Sequence, residues 1–177
     1  MPARAHRRAR RGARGALARW AVRRRGRRGA RGLARRGERR SPGVGERRGV
    51  RAMAEAGVVG VLLPGAAFSL GQPMPDARRL RGLGLAVALA TDCNPGTSHT
   101  ESLPLMAAFA VRQMGMTTVE AWHAVTRVAA DALRLHDRGR LTVGARADVA
   151  VMDFESWECL PYDFGGARAW AVARGGG

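Results

Sequence analysis

A carboxylate and a polar turn follow directly on an apolar segment in the middle of this chain. The apolar segment, 85–90, ends at Thr91 and Asp92, and a turn containing Pro95 and Gly96 comes next. In parallel α/β architectures, functional groups lie at the carboxyl ends of strands, where loops hold ligands. The pattern therefore predicts Asp92 as a functional carboxylate at the rim of a sheet. An Asp that only forms the turn, without a ligand, is the alternative.

The other residues with reactive side chains fit a structural role better. Cys93 and Cys159 form no CxxC pair, and two isolated thiols in a chain without a signal-peptide pattern suggest reduced, cytoplasmic cysteines. Cys93 is a poor candidate metal ligand because successive side chains of a strand point to opposite faces. His99 lies in the rim loop, where it either contacts substrate or is solvated. His123 and His136 are expected to be surface or packing residues.

Alternating strands and helices are predicted to position this rim. The end of a helix at 51–56 precedes a strand at 58–63, and a short helix at 74–83 leads into the strand at 85–90. Two buried strands joined by a helix imply a parallel sheet with helices outside it. Asp92 is then held by the second strand of a parallel pair.

The apolar spacing changes along the second half of the chain. A helix over 101–114 is followed by another that Thr117 or Thr118 caps and that continues to Leu133. The remaining apolar segments are strand-like and lie at 141–144, 147–152 and 169–172. We expect them to form a small β layer separate from the parallel sheet.

The net charge of the chain is confined to its first 50 residues. The formal net charge is +17, and residues 1–50 carry 19 Arg against Glu38 and Glu46. Residues 51–177 carry 12 Arg and 12 acidic residues. A strongly basic chain normally suggests a nucleic-acid partner, but the neutral body is expected to have no specific nucleic-acid partner.

Residues 1–48 are predicted to be disordered, because their few large apolar residues are too scattered to form a buried face. The chain has no Lys and no Ile, as in a GC-rich coding sequence, where wrong reading frames stay open. We favour an out-of-frame or misassigned start. A nucleic-acid-binding tail and a solvated linker are the alternatives. No apolar stretch suits a signal peptide or a membrane span.

Three sequence blocks are similar to those of a known enzyme family. They are LLPGAAFSL at 62–70, ATDCNPGTS at 90–98 and DRGRLTVGARADVAVMD at 137–153. Over roughly 49–174, the chain resembles the C-terminal portion of imidazolonepropionases, which are metal-dependent amidohydrolases. The third block is shared widely among amidohydrolases, whereas TDCNPGTS after an apolar strand is more specific. Val128 and Arg134 stand where the family tends to have Asn and Gly.

The resemblance implies an α/β fold in three parts. Residues 1–48 are the disordered Arg-rich segment, and residues 49–138 form the last strands and helices of a TIM barrel. Residues 139–177 supply strands of a small composite β-domain.

The resemblance also implies roles for residues of the rim loop. Asp92 would be both the catalytic carboxylate and a ligand of a divalent metal ion, Zn or Fe, whose bound water loses a proton to it. Asn94, Gly96 and Thr97 would bind the substrate, with backbone amides near Pro95 holding its carboxylate.

The implied activity is hydrolysis of 4-imidazolone-5-propanoate, a small molecule, to N-formimidoyl-L-glutamate in histidine degradation, without membrane association. The oligomeric state stays open, and a homodimer is one option for full-length relatives. The chain lacks an HxH pair, so we expect this fragment to be inactive alone. A fragment of another cyclic amidohydrolase or deaminase, and an Arg-rich nucleic-acid-binding protein, are the alternatives.

The predicted disorder of residues 1–48 can be tested by limited proteolysis. Without a buried face, this segment cannot offset an ordering cost of roughly 1 to 2 kcal/mol per residue. Trypsin should therefore leave a stable product that begins near Arg51, identified by mass spectrometry. A protected fragment containing Trp20 would contradict the prediction.

Overall fold

A computed structural model of the protein describes residues 44–164, 166 and 169–175. The predicted disorder and origin of residues 1–43 lie outside this part. Helix α1 spans Val44–Glu55, so the predicted boundary between residues 48 and 49 falls inside a helix and ordered structure begins before Arg51. The reason is an apolar face, on which Met53 packs against Leu85.

A parallel strand pair follows α1. Strand β1 (Val59–Leu62) pairs with β2 (Ala86–Leu89) in parallel, with Val59 opposite Ala86 and Leu62 opposite Leu89. This confirms the predicted parallel pair. Helix α2 (Pro64–Ser69), which was not predicted, and α3 (Ala77–Gly82) connect the two strands.

Three helices follow the rim loop, namely α4 (Leu103–Gln113), α5 (Thr118–Val125) and α6 (Arg127–Ala132). The expectation of one continuous helix from Thr117 to Leu133 is wrong. The helix ends at Thr126, whose backbone is not helical (φ −118°, ψ −92°) and whose hydroxyl donates to the Trp122 carbonyl over 2.7 Å. A hydroxyl that bonds the preceding turn in this way competes with helix geometry.

The start of α5 is fixed by a reciprocal cap. The Thr117 hydroxyl accepts from the Glu120 amide, and the Glu120 carboxylate accepts from the Thr117 amide. Burial raises the pKa of Glu120, but its hydrogen bonds with Arg81 and Thr117 outweigh this effect, so the pKa lies below its ordinary value. The carboxylate is therefore charged where it caps α5 and pairs with α3.

The core lies between the helices and one face of the parallel sheet. Small alanines on the helices let the layers approach closely, and methionines and leucines fill the space between them. Its buried members are Leu62, Ala77, Val87, Leu89, Ala107, Ala110, Met114, Met116, Ala121, Ala124 and Leu160.

The late strands form a second sheet, as predicted. Strand β3 (Val149–Met152) pairs in antiparallel fashion with β4 (Ala169–Ala173), and neither belongs to the β1–β2 sheet. Of the strand and turn expected at 141–144, the described chain has only the turn: Leu141 and Val143 are exposed and not in a strand, and Gly144 turns at φ +82°. Among the strands of the described residues, none pairs with this segment.

The segment between β3 and β4 packs onto the helices. A 3₁₀ helix, Trp157–Cys159, precedes Leu160, which is fully buried. Arg112 Nε donates to the Pro161 carbonyl over 2.6 Å, and Trp122 Nε1 donates to the Trp157 carbonyl over 3.0 Å. Among the described helices, none has the length and apolar character needed to cross a bilayer.

Candidate functional site

Asp92 lies just beyond the carboxyl ends of both parallel strands. The Ala90 amide donates to the Leu62 carbonyl over 3.1 Å, so the pairing of β1 and β2 continues almost to the rim. Asp92 is exposed and has a left-handed backbone (φ +49°). Such a conformation is uncommon outside glycine, although Asp tolerates it better than most residues. The turn thus presents this carboxylate to solvent at the edge of the sheet.

The Asn94 side chain closes the rim loop on itself. Its Nδ2 donates to the Asp92 carbonyl over 2.6 Å and to Thr97 Oγ1 over 3.0 Å. Its Oδ1 accepts from the Gly96 and Thr97 amides, both at 2.9 Å. The structure therefore brings together Asp92, Asn94, Gly96 and Thr97, the residues predicted for the site. The Gly96 and Thr97 amides, which lie where a substrate carboxylate was expected to bind, therefore already donate to Asn94 within the loop.

A buried serine anchors the loop from below. Ser98 is only 2% exposed, and its hydroxyl donates to the Thr91 carbonyl over 2.6 Å. Its backbone also pairs with Asn94 as a short antiparallel bridge. Ser98 packs so closely on Gly65 that a Cβ at that glycine would lie 2.5 Å from the hydroxyl oxygen. The two ends of the loop are thereby tied to each other and to α2.

Sequence reasoning missed the roles of Ser98 and Gly65. Both lie in the sequence blocks at 62–70 and 90–98, but neither carries a chemical group typical of a catalytic site. The available signal was the Pro-Gly pair immediately after β1, which suggests a close backbone approach. Its partner could not be named without the tertiary structure.

The other candidate residues are not assembled around Asp92. Cys93 is exposed and Cys159 is partly buried. His99, His123 and His136 are exposed. Within the described residues, no group of three or more His, Cys, Asp or Glu side chains is placed to hold a metal ion. These residues by themselves therefore do not fit a divalent metal centre, which takes three or more protein ligands.

Comparison with known proteins decides the family. A sequence profile described as "Amidohydrolase family" matches residues 2–176, nearly the whole chain. The chain belongs to the amidohydrolase family.

Several relatives of this amidohydrolase are considerably longer. It is 54% identical over 115 residues to "Imidazolonepropionase" of Salinispora arenicola, a match that covers 64% of this chain and 29% of the relative. It is 48% identical over 129 residues to "Imidazolonepropionase" of Geobacillus kaustophilus, covering 72% and 30% of the two chains. The chain thus spans about three-tenths of the length of these relatives and corresponds to their C-terminal portion.

Two solved structures share the fold of this amidohydrolase. E. coli guanine deaminase matches with a TM-score of 0.60 and 16% identity, covering 73% of this chain and 35% of the deaminase. A 5-methylcytosine deaminase from Klebsiella pneumoniae, liganded with 5-fluorocytosine, matches with a TM-score of 0.59 and 19% identity over the same shares. At this identity, the likeness concerns the mixed α/β fold alone.

Gly65→Ala should destabilise the protein through the rim loop. The new methyl group would meet Ser98 Oγ at 2.5 Å and Met106 Sδ at 3.2 Å, and overpacking of this kind costs about 1–3 kcal/mol. Urea denaturation measures the change in unfolding free energy. The matched control is Gly49→Ala, also within a helix but with nothing within 4 Å of its Cβ position; it should stabilise by up to about 1 kcal/mol. Equal effects at both glycines would refute the proposed contact.

Asn94→Ala should loosen the loop while leaving the sheet intact. The Gly96 and Thr97 amides lose their acceptor, and the net value of one hydrogen bond predicts about tenfold faster amide exchange. Hydrogen exchange followed by mass spectrometry measures this. Gln72→Ala, which removes a single exposed contact of 3.4 Å to the Leu70 carbonyl, should leave the exchange of both amides unchanged. Unaltered exchange in Asn94→Ala would show that the internal bonds do not hold the loop.

Proposed function

We propose that this chain is the C-terminal part of an imidazolonepropionase, which hydrolyses 4-imidazolone-5-propanoate to N-formimidoyl-L-glutamate in histidine degradation. The observation that carries the proposal is the identity of 54% over 115 residues to a relative of that name. The rim loop supports it, because a closed loop with one exposed carboxylate at the end of a strand suits a site for a small polar substrate.

The proposal includes the architecture. In it, residues 49–138 are the last part of a TIM barrel, with β1 and β2 as its last strands, and β3 and β4 belong to a composite β-domain within 139–177. The parallel pairing of β1 with β2 and the separate antiparallel sheet support this division. We place the enzyme in the cytoplasm and leave a homodimer of the complete protein open.

Asp92 would act as the proton carrier of the reaction. As water attacks the ring carbon and the amide C–N bond breaks, the carboxylate would take a proton from the water and return it to the departing nitrogen. The left-handed backbone and the Asn94 contact to its carbonyl would hold this carboxylate outward. The family's divalent ion, Zn or Fe, requires ligands beyond the described residues, so no step is assigned to it.

Substrate binding is proposed at the outer side of the rim loop. Asn94 uses both ends of its amide within the loop, so direct contact with substrate would break existing hydrogen bonds. Gly96 is exposed on the outer side of the loop. We therefore propose Gly96 as a contact surface, with Asn94 and Thr97 binding substrate only through the shape they impose on the loop.

A deaminase or another cyclic amidohydrolase is the second candidate, favoured by the fold shared with two deaminases. A chimera tests the two. Residues 44–177 would replace the matched C-terminal portion of the Salinispora arenicola relative. Turnover of 4-imidazolone-5-propanoate is expected, without turnover of guanine or 5-methylcytosine. The reverse preference would overturn the proposal.

Asp92→Asn in this chimera should reduce turnover by about 10²- to 10⁴-fold, because the amide keeps the shape but cannot accept the proton. Thermal unfolding should be unchanged, since Asp92 is exposed. Asp153→Asn, at another exposed carboxylate, is the matched control and should retain full turnover. Near-normal turnover in Asp92→Asn would refute the assigned role.

A further inference from the structure

Three arginines line a cavity between the start of α3 and the end of α4. Arg78 and Arg79 belong to α3, and Arg112 belongs to the last turn of α4. The volume of the cavity is about 570 Å³, and small-molecule sites typically have about 300 to 1,000 Å³. None of its lining residues belongs to the rim loop at 90–98. The cavity is therefore distinct from the site around Asp92.

Two of these arginines are held in place by backbone carbonyls. Arg78 Nε donates to the Gly115 carbonyl over 3.1 Å, and Arg112 Nε donates to the Pro161 carbonyl over 2.6 Å. Each bond fixes the guanidinium through one nitrogen and leaves the N–H groups of its two terminal nitrogens available to another acceptor. Among the described residues, neither guanidinium pairs with a carboxylate. Because both forks are already oriented, less side-chain entropy is lost when they bind an anion.

The third arginine has buried donors without a partner. Nε and Nη2 of Arg79 are shielded from solvent, and neither atom has a hydrogen-bond acceptor among the described residues. The Glu46 carboxylate lies 3.5 Å from Nη2, which makes an ion pair but no hydrogen bond. Most buried donors in native proteins have a partner, and an unpaired one can mark the place of a bound water or ion. The donors of Arg79 therefore point to an acceptor supplied by a bound molecule.

The charges around the cavity do not cancel. Among its lining residues, only Asp76 is acidic, and this carboxylate accepts from the Arg79 amide as the N-cap of α3. Glu46 offsets part of the charge of Arg79 from outside the cavity. Three guanidiniums against these two carboxylates leave the cavity positively charged, although residues 51–177 are neutral as a whole. Such a concave basic surface attracts anions.

The type of donor indicates the class of anion. Guanidinium forks match the oxygens of a phosphoryl group, which carries between one and two negative charges and offers three strong acceptors. Met74 and Val111, both partly buried, add apolar surface to the cavity. A few charged groups beside an apolar wall are typical of a site for a small organic molecule.

We propose that this cavity binds a small organic phosphate, with its phosphoryl group held by Arg78, Arg79 and Arg112. The organic part lies against Met74 and Val111. Free phosphate shares the charged part of this chemistry and binds more weakly, because it makes no apolar contact. The site shares no residue with the rim loop, so this inference stands apart from the proposed function.

Thermal unfolding of the full 177-residue chain measures the binding. Adenosine monophosphate and inorganic phosphate serve as probes, each titrated against potassium chloride at equal ionic strength. A ligand of the folded state raises the unfolding temperature according to its concentration and dissociation constant. Both probes should raise it, adenosine monophosphate at the lower concentrations, and adenosine without the phosphoryl group should not. Phosphate also stabilises proteins through exclusion from their surface, so the comparison of variants decides the site.

Gln113→Glu adds a carboxylate to the cavity without changing the size of the side chain. Gln113 lines the cavity and is exposed, so the ligand-free variant should unfold at nearly the same temperature as the wild type. The new carboxylate competes for the arginines, and the affinity for both probes should fall by about tenfold or more, the value of one charge-assisted hydrogen bond. Gln72→Glu, the same change at an exposed residue outside the cavity, is the matched control and should bind normally.

Arg112→Gln removes one of the proposed phosphate contacts directly. The affinity for both probes should again fall by about tenfold or more. Arg127→Gln, at an exposed arginine of α6 outside the cavity, is its control and should leave the affinity unchanged. Residues 1–50, with their 19 arginines, are the same in all variants, so anion binding there cancels in the comparison.

The outcomes distinguish the site from its ligand. No rise with either probe overturns the proposal. A rise that Gln113→Glu and Arg112→Gln both leave unchanged also overturns it, because the anion then binds elsewhere on the chain. Weaker binding in both variants but not in their controls supports the arginine site, and a higher affinity for adenosine monophosphate than for phosphate supports the organic ligand. Equal affinity for the two probes would overturn the contact with Met74 and Val111.

Discussion

The contact between Gly65 and Ser98 sets the geometry on which the rest of the rim depends. It joins the first turn of α2 to the end of the loop that follows β2. Because Ser98 also holds the Thr91 carbonyl over 2.6 Å, the entry and exit of the loop are fixed at one buried point. Asp92 and Asn94 lie between these anchors, so their positions follow from a contact between two residues that were not among the predicted site residues.

The loop is built to keep its shape without a ligand. Asn94 supplies four of its internal hydrogen bonds, to the Asp92 carbonyl, to the Gly96 and Thr97 amides and to the Thr97 hydroxyl. These bonds offset the conformational cost of the left-handed Asp92 backbone, which is of order 1–2 kcal/mol. A loop that is ordered in advance does not have to be ordered by its substrate, which lowers the cost of binding.

The sequence predicted the elements whose causes are local. The apolar runs around β1 and β2, a helix cap at Thr117 or Thr118 and the position of Asp92 after β2 were all predicted, because each depends on neighbouring residues. The sequence did not predict the helix break at Thr126, because the break depends on the hydrogen bond of the Thr126 hydroxyl to the Trp122 carbonyl. It also did not predict the absence of a strand at 141–144, since a strand forms only where a partner strand pairs with it. For the rim loop, the sequence predicted a polar turn after β2, but not that the Asn94 side chain bonds within the loop, because that arrangement accompanies the left-handed turn at Asp92.

The two sheets differ in how much of their apolar surface is buried. The helices bury one side of the parallel sheet with closely packed alanines and methionines, and Leu160 is fully buried in the same core from the segment between β3 and β4. On the other side of β1 and along all of β4, apolar side chains remain in solvent. Burial of apolar surface stabilises by about 25 cal/mol per Å², so these exposed side chains contribute less to stability than the buried ones. The rim loop is held by the hydrogen bonds of Asn94 and by the buried Ser98. Asp92 is therefore held at the edge of the sheet by contacts within the loop, independently of the apolar side chains that remain exposed on β1 and β4.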